Sequence, residues 1–312
     1  MKAQILTTAT LFAVFSGVLP AADLRLLNLV MPDATALADV NVDSAKASPF
    51  GQYVLTTLLQ GQAQQLQQLV TLTGFDPRQD VDELLFASNS TAGNKTGLAL
   101  ALGTFDPVKI AAAAQLAGAG VETYSGVSII EDPKKQNGLA FLDSKLVVAG
   151  DKASVKAAID RRGNGAPGIS AALLVQVNQL SASEDAWALT TVPPSTLKPP
   201  AAAPPVGGIN IQNALQQIQS ASGGVKFGSL VVVTAQAQTA SAQDATQLGA
   251  VLQMLVSMAQ LSASKNPQAA AVAQALAVTA QGSTVKITLS VPEDQIQQLV
   301  KPQAAARKVV RM

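Results

Sequence analysis

The sequence predicts an α+β protein in which antiparallel sheets are covered by helices. Segments with the residue spacing of strands occur in pairs, and turn-forming residues separate the two members of each pair. Segments with helical spacing stand between these pairs, which is typical of sheets with helices packed on one side. Hydrophobic residues make up 48% of the 312 residues, enough for a packed core. The length suits one large domain or two of ordinary size.

The first predicted half covers residues 22–165. Ser48 and Pro49 indicate a helix N-cap and first helical residue, Gly61 indicates a break, and Gly74 indicates the end of the helical segment. The predicted strands are 34–42, 84–86, 98–105, a hairpin over 121–130 that turns at 124–126, 137–141 and 146–148. The predicted helices are 49–73, 106–116 and 152–162.

The second predicted half covers residues 166–303. It contains a Pro/Ala-rich segment, 193–208, which the composition assigns to an exposed loop or linker. The predicted strands are 187–192, a hairpin of 225–227 with 230–237, and a hairpin of 278–279 with 285–291. The predicted helices are 169–180, 210–218, 244–261, 267–274 and 293–300.

Both halves repeat one order of elements, in which strand hairpins, a helix, another hairpin and a helix follow each other. Their sequence identity is weak, so the pattern suggests two loosely similar halves and an internal duplication only at the level of topology. Residues 304–312 form a short basic tail that we expect to be frayed.

The N-terminus predicts export. Lys2 precedes an apolar run over 5–18, and the small residues Ala21 and Ala22 follow it, as in a secretory signal peptide over residues 1–21. The run is shorter than the roughly 20 apolar residues that span a bilayer. We therefore expect a periplasmic or secreted protein without a transmembrane segment in the mature chain.

The composition excludes several kinds of chemistry. The sequence has no Cys and no His, so disulfides, thiolate nucleophiles, Cys/His zinc sites and histidine general bases are impossible. A formal net charge of +1 provides no field to attract nucleic acid, so we expect no nucleic-acid partner. Carboxylate, Lys, Tyr and hydroxyl chemistry remains.

One pair of motifs resembles those of penicillin-recognising enzymes. Ser195 and Lys198 have the Ser-x-x-Lys spacing, and residues 95–97 read Lys-Thr-Gly. The Ser must open a helix for the Lys to take its proton, whereas Pro199 biases Lys198 away from helical geometry. The two motifs also stand in the reverse order along the chain. We interpret the match as chance.

Two acidic clusters are candidates for carboxylate chemistry. Asp80, Asp82 and Glu83 could bind a cation or form a carboxylate pair, but their spacing matches no calcium loop, and a solvated turn is the simpler interpretation. Glu184 and Asp185 precede the only Trp, Trp187, which invites a sugar-binding hypothesis. A Trp that enters a strand is more often core, with the acids marking an exposed strand start.

Residues 75–162 contain a familiar order of structural motifs. A strand leads into an Asp-Pro helix start at 105–107, and a Tyr-Ser-Gly hairpin follows at 124–129. A second hairpin, formed by 139–143 and 146–151, ends in Gly-Asp, and the helical segment 155–159 ends in Ala-Ile. This order resembles a family of exported bacterial proteins of unknown function. The resemblance implies an envelope or secreted location. Its motifs are structural, so it implies no functional residues.

These observations leave three functional hypotheses. The first is a non-enzymatic protein that binds or scaffolds in the cell envelope, with an envelope protein as partner. The second is a carrier of an apolar, lipid-like ligand held between the sheet and the long helices. The third is a hydrolase that uses two facing carboxylates of raised pKa in a cleft. The sequence assigns no catalytic, cofactor-binding or metal-binding residue and no cofactor.

Overall fold

The computed structural model describes residues 22–59, 61–89, 96–132, 136–193, 216–262 and 272–300. Its strands form one antiparallel sheet of 12 strands, which confirms the predicted α+β class. The strands are β1 (Ala36–Asn41), β2 (Val81–Ser88), β3 (Gly97–Gly103), β4 (Gly120–Tyr124), β5 (Val127–Glu131), β6 (Asn137–Phe141), β7 (Leu146–Asp151), β8 (Ala186–Thr190), β9 (Ile218–Lys226), β10 (Leu230–Thr239), β11 (Leu276–Gln281) and β12 (Thr284–Pro292). Their order across the sheet is β11-β12-β10-β9-β8-β1-β2-β3-β7-β6-β5-β4.

The helices of the described ranges pack on both faces of this sheet. They are α1 (Leu24–Leu27), α2 (Val42–Ala47), α3 (Pro49–Leu58), α4 (Ala63–Thr73), α5 (Pro77–Asp80), α6 (Pro107–Leu116), α7 (Lys152–Arg161), α8 (Ala171–Ser183), α9 (Ala242–Ser262) and α10 (Glu293–Val300). Helix starts follow the predicted capping rules. The Ser48 hydroxyl accepts from the Gly51 N–H at the start of α3, and Gly74, with φ 75°, ends α4.

The two predicted halves share the sheet, because β1 pairs with β8 near its centre. The strands β1, β2 and β3 lie on one side of this pairing, and β8, β9 and β10 lie on the other. In each half a helix and a hairpin follow, and the last strand of that hairpin, β7 or β12, pairs with β3 or β10 respectively. The first half contains the additional hairpin β4–β5. The halves are therefore alike in topology.

The two faces of the sheet differ in their cover, so the prediction of helices on one side is wrong. The face that carries Leu37, Leu85 and Leu100, here called the core face, packs against α1, α7 and α8 through the main hydrophobic cluster. Alternation along each strand directs Ala38, Phe86 and Ala99 to the opposite face, here called the trough face. Smaller clusters cover parts of the trough face with α3, α6, α9 and α10.

The predicted helix over 210–218 is described only at its C-terminal end, which is not helical. Residues 210–218 were expected to be helical, but Ile218 begins β9, and residues 210–215 lie outside the described ranges. Gly223 and Gly224 make this strand possible, because a Cβ on Gly223 would lie 2.6 Å from the Thr234 carbonyl oxygen. The strand therefore depends on close packing against neighbours and not on its own propensity. Most of 193–208 and of 267–274, together with residues 1–21 and 304–312, also lies outside the described ranges.

Candidate functional site

An open apolar trough crosses the middle of the sheet. Its volume is about 830 Å³, and every described residue that lines it belongs to one of six consecutive strands, β9, β8, β1, β2, β3 and β7. The lining residues are Ala36, Leu37, Ala38, Phe86, Ala87, Ser88, Gly97, Leu98, Ala99, Ala149, Gly150, Ala188, Leu189, Thr190, Ala221, Ser222 and Gly223. None of these side chains carries a charge. The trough is therefore an apolar surface formed by the sheet itself.

A row of small side chains forms the floor of the trough. Strand register places Ala38 opposite Phe86 on one side and opposite Ala188 on the other. The row continues from Phe86 to Ala99 and then Ala149, and from Ala188 to Gly223. Because side chains this small leave the sheet surface low, space remains where larger residues would fill it.

Phe86 is the one large side chain of this row. It is 46% exposed, whereas its sequence neighbour Leu85, on the core face, is 0% exposed. An exposed aromatic ring within a continuous apolar surface is a common mark of a binding site. The ring stands in the centre of the trough, because β2 is one of the middle strands of the six.

One edge of the trough is more polar. The next row along the strands places Ala36 between Ser88 and Thr190. The Ser88 hydroxyl donates to the Thr96 carbonyl at 2.9 Å, and the Thr190 hydroxyl donates to the Val192 carbonyl at 3.1 Å. The Thr190 oxygen also accepts the Val192 N–H at 3.3 Å, so the polar groups of this edge bond to neighbouring backbone.

Helices cover the trough face on either side of the trough, where the side chains are larger. Phe105 and Val147 form one covered cluster, and Phe50, Val231 and Val291 form another. Within the described ranges no helix residue lines the trough itself. Helices and sheet pack where bulky side chains meet, and the row of alanines provides no such contact.

The carrier hypothesis placed the ligand between the sheet and the long helices, whereas the described residues that line the trough all belong to strands. On the core face Leu26, Val155 and Val177 are 0% exposed, and they pack with Leu85 and Leu100 into one filled cluster. The apolar space lies on the opposite face. Sequence analysis missed it, although Leu98, Leu100 and Leu102 alternate with Gly97 and Ala99 and indicate one bulky and one small face.

The structure pairs one acid of the first cluster with an unexpected partner. Glu83 shares a hydrogen bond with Asp39 on the core face, and it accepts the Asp23 N–H at 3.1 Å. Burial raises the pKa of both carboxyl groups, and that of Asp39 rises to about 8. Neither residue lines the trough. Asp39 and Glu83 are facing carboxyl groups of the kind that the hydrolase hypothesis requires, but they lie outside the trough.

The second acidic cluster is buried, so the prediction of an exposed strand start is wrong. Asp185 is 5% exposed, accepts the Lys226 ammonium at 2.7 Å and accepts the Phe227 N–H at 2.6 Å. Glu184 is 9% exposed and accepts the Thr234 hydroxyl at 2.8 Å. Trp187 is 3% exposed and belongs to the main hydrophobic cluster, as the core interpretation predicts.

The remaining predicted features contribute no site. Ser195, Lys198 and Lys95 lie outside the described ranges, and Gly97 begins β3. Among the described residues no group of three acidic or metal-ligating side chains could hold a metal ion. Within the same ranges no helix combines the length and apolar character needed to cross a membrane.

Fold and site together define a single-sheet α+β protein with an open apolar trough. Solved structures of TP0453 have a similar fold. Crystal form III has a TM-score of 0.56 at 8% identity, over 89% of this chain and 98% of that one. Crystal form IV has a TM-score of 0.55 and form I one of 0.50, each at 8% identity, over 90% of this chain and 98% of that one. No protein-family model and no curated protein matches the sequence.

Proposed function

We propose that this chain is a non-enzymatic binding protein and that the trough holds one extended acyl chain of a lipid-like ligand. The observation that carries the proposal is the uncharged, small-residue lining that runs across six adjacent strands. The carrier hypothesis therefore moves ahead of scaffolding, with its site on the trough face.

The dimensions of the trough fit such a ligand. Six strands spaced by about 4.8 Å span about 24 Å. An acyl chain in one leaflet of a bilayer extends over about 15 Å, half of the roughly 30 Å hydrocarbon core. The trough is therefore long enough for one extended chain that lies across the strands. A volume of about 830 Å³ also falls in the usual range for small-molecule sites.

The energetics favour an apolar ligand over a polar one. Each buried CH₂ group stabilises a complex by about 0.8 kcal/mol, whereas a polar group that enters the trough without a partner costs about 1–3 kcal/mol. Affinity should therefore rise with chain length until the chain fills the trough. Among the described residues no cationic side chain lines the trough to recognise a carboxylate, so neutral methyl esters should bind as well as the acids do.

Fluorescence titration with cis-parinaric acid, followed by displacement with saturated C8 to C16 acids and their methyl esters, tests the proposal. We expect dye binding, displacement that strengthens with chain length, and similar displacement by acid and ester. Ala99→Phe places a ring on the floor of the trough and should abolish dye binding. Ala277→Phe is the matched control, because Ala277 is exposed on β11 and its register places it on the opposite face.

Absence of dye binding, or equal binding by Ala99→Phe and Ala277→Phe, would refute the acyl-chain site. A concentration-dependent dimer that Ala99→Phe dissociates would instead assign the trough to a second copy of the chain. Dye binding and oligomeric state can both be measured on one preparation of the intact protein, which decides between the two occupants.

Export completes the proposal. It rests on the N-terminal pattern over residues 1–21 and on the resemblance over residues 75–162. Cell fractionation with N-terminal sequencing tests it: we expect the chain outside the cytoplasm, beginning near residue 22. A chain retained in the cytoplasm with Met1 would contradict it.

A further inference from the structure

A second cavity lies on the core face, in the second half of the sheet. It is a cleft of about 390 Å³ between α8 and the strands β9, β10 and β12. Its lining includes Gln176, Gln179, Glu184, Ser222, Gln236 and Lys286. Amides and hydroxyls predominate there, in contrast to the leucines that fill the same face in the first half. The cleft is therefore a polar site, separate in its chemistry from the trough.

Glu184 is the most unusual residue of the cleft. It is 9% exposed, and its Oε1 atom accepts the Thr234 hydroxyl at 2.8 Å. Its Oε2 atom is buried without a hydrogen-bond partner among the described residues. A buried acceptor that lacks a hydrogen-bond partner carries an uncompensated desolvation cost. A ligand hydroxyl that donates to Oε2 would remove that cost.

The position of this carboxylate is fixed by its surroundings. The Glu184 N–H donates to the Leu180 carbonyl at 2.8 Å and caps α8. A Cβ on Gly224 would lie 2.5 Å from Glu184 Cγ, so only glycine leaves room for this side chain across β9. Cap and glycine together hold the carboxylate at the cleft.

The charges of the cleft favour a neutral ligand. Within the described part of the chain, Glu184 and Lys286 are the charged residues that line it, and their charges cancel. Gln179 and Gln236 are exposed at its walls. Each amide can donate one hydrogen bond and accept another, which matches two neighbouring hydroxyl groups of a ligand. We propose that the cleft binds a neutral saccharide, with one sugar hydroxyl donating to Glu184 Oε2 and neighbouring hydroxyls bonded to the glutamine amides. This site does not depend on the trough.

Saturation-transfer-difference NMR on the intact protein tests this site with glucose, galactose, mannose, N-acetylglucosamine and maltose as probes. We expect at least one of them to bind with millimolar affinity. Glu184→Gln replaces one acceptor oxygen by an NH₂ donor and should weaken that binding by about tenfold. Gln179→Ala should weaken it about threefold or more, because one amide contact is lost.

Gln67→Ala is the matched control, since Gln67 is an exposed helical glutamine on α4, outside the cleft. It should bind the sugar like the unmodified protein. No transfer signal from any of the probes would overturn the proposal. Equal affinities for Gln179→Ala and Gln67→Ala would also overturn it, and this comparison decides even if Glu184→Gln fails to fold.

Discussion

Asp39 and Glu83 form a hydrogen-bonded carboxyl pair between the adjacent strands β1 and β2. Asp39 is 4% exposed, and burial raises its pKa to about 8. Burial also raises the pKa of Glu83. The Asp23 N–H donates to Glu83 Oε1, so the pair adjoins the start of α1. At neutral pH Asp39 is therefore the protonated carboxyl group of the pair.

Stability should therefore fall as pH rises. Between the ordinary pKa of 3.8 and about 8, folded Asp39 keeps a proton that the unfolded chain releases. Because the folded state binds more protons in this window, its stabilisation is full at the acid end and is lost towards pH 8. We expect the free energy of unfolding to drop by on the order of 2–4 kcal/mol, since one pKa unit corresponds to about 1.4 kcal/mol. Urea unfolding at pH 5, 6, 7 and 8 measures it.

Asp39→Asn should flatten this pH dependence and raise stability at pH 8 above that of the unmodified protein. Asp82→Asn is the control, because the Asp82 side chain is 46% exposed on the same strand as Glu83. It should keep the original slope. An unchanged slope in Asp39→Asn would exclude the buried pair as its origin.

Neighbouring residues of β2 should separate binding from stability. Leu85→Ala empties a position that is 0% exposed and should cost about 2–5 kcal/mol. Phe86→Ala removes a ring that is 46% exposed, so it should lower the free energy of unfolding by less than about 1 kcal/mol. The same change should weaken the binding of cis-parinaric acid. Urea unfolding and dye titration of both variants measure the difference. Equal destabilisation would mean that Phe86 is a core residue.

Close backbone packing should make Gly150 intolerant of a side chain. A Cβ there would lie 2.3 Å from the Gly97 carbonyl oxygen, across the β3–β7 pairing. Gly150→Ala should therefore cost about 1–3 kcal/mol through a strand shift. Gly163→Ala is the control, because no atom lies within 4 Å of its added Cβ. Thermal unfolding of the two variants should differ, and similar midpoints would contradict the close approach.

Arg161 has a role beyond that of a basic residue at a helix end. Its Nε and Nη2 atoms donate to the Leu29 carbonyl at 3.2 and 2.8 Å, and desolvation lowers the pKa of its guanidinium. Arg161→Ala should cost about 1–3 kcal/mol, because that carbonyl loses both donors. The exposed neighbour Arg162 provides the control, and Arg162→Ala should change stability by less than about 0.5 kcal/mol. Urea unfolding measures both variants. Equal losses of stability would mean that Arg161 acts only as a positive charge near the C-terminus of its helix and not through the Leu29 carbonyl.

The elements of the first half could be predicted because their signals are local. Ser48 with Pro49, Asp106 with Pro107, and the turn at Ser125 and Gly126 lie where capping and turn rules place them. The first part of β9, before the predicted strand segment 225–227, could not be predicted, since Ser220, Ser222 and Gly223 have little strand propensity of their own. Its neighbours β8 and β10 impose its conformation.

The sequence by itself determined the α+β class, the absence of thiol and imidazole chemistry, and which side chains of β3 face a core. These depend on composition and on periodicity within one segment. Only the tertiary structure decided that β1 pairs with β8, that Ala38 and Ala188 meet in the trough, and that Glu184 is buried at a polar cleft. These features need the register of strands that are far apart in sequence, and contacts set by distant partners leave no pattern within any one segment.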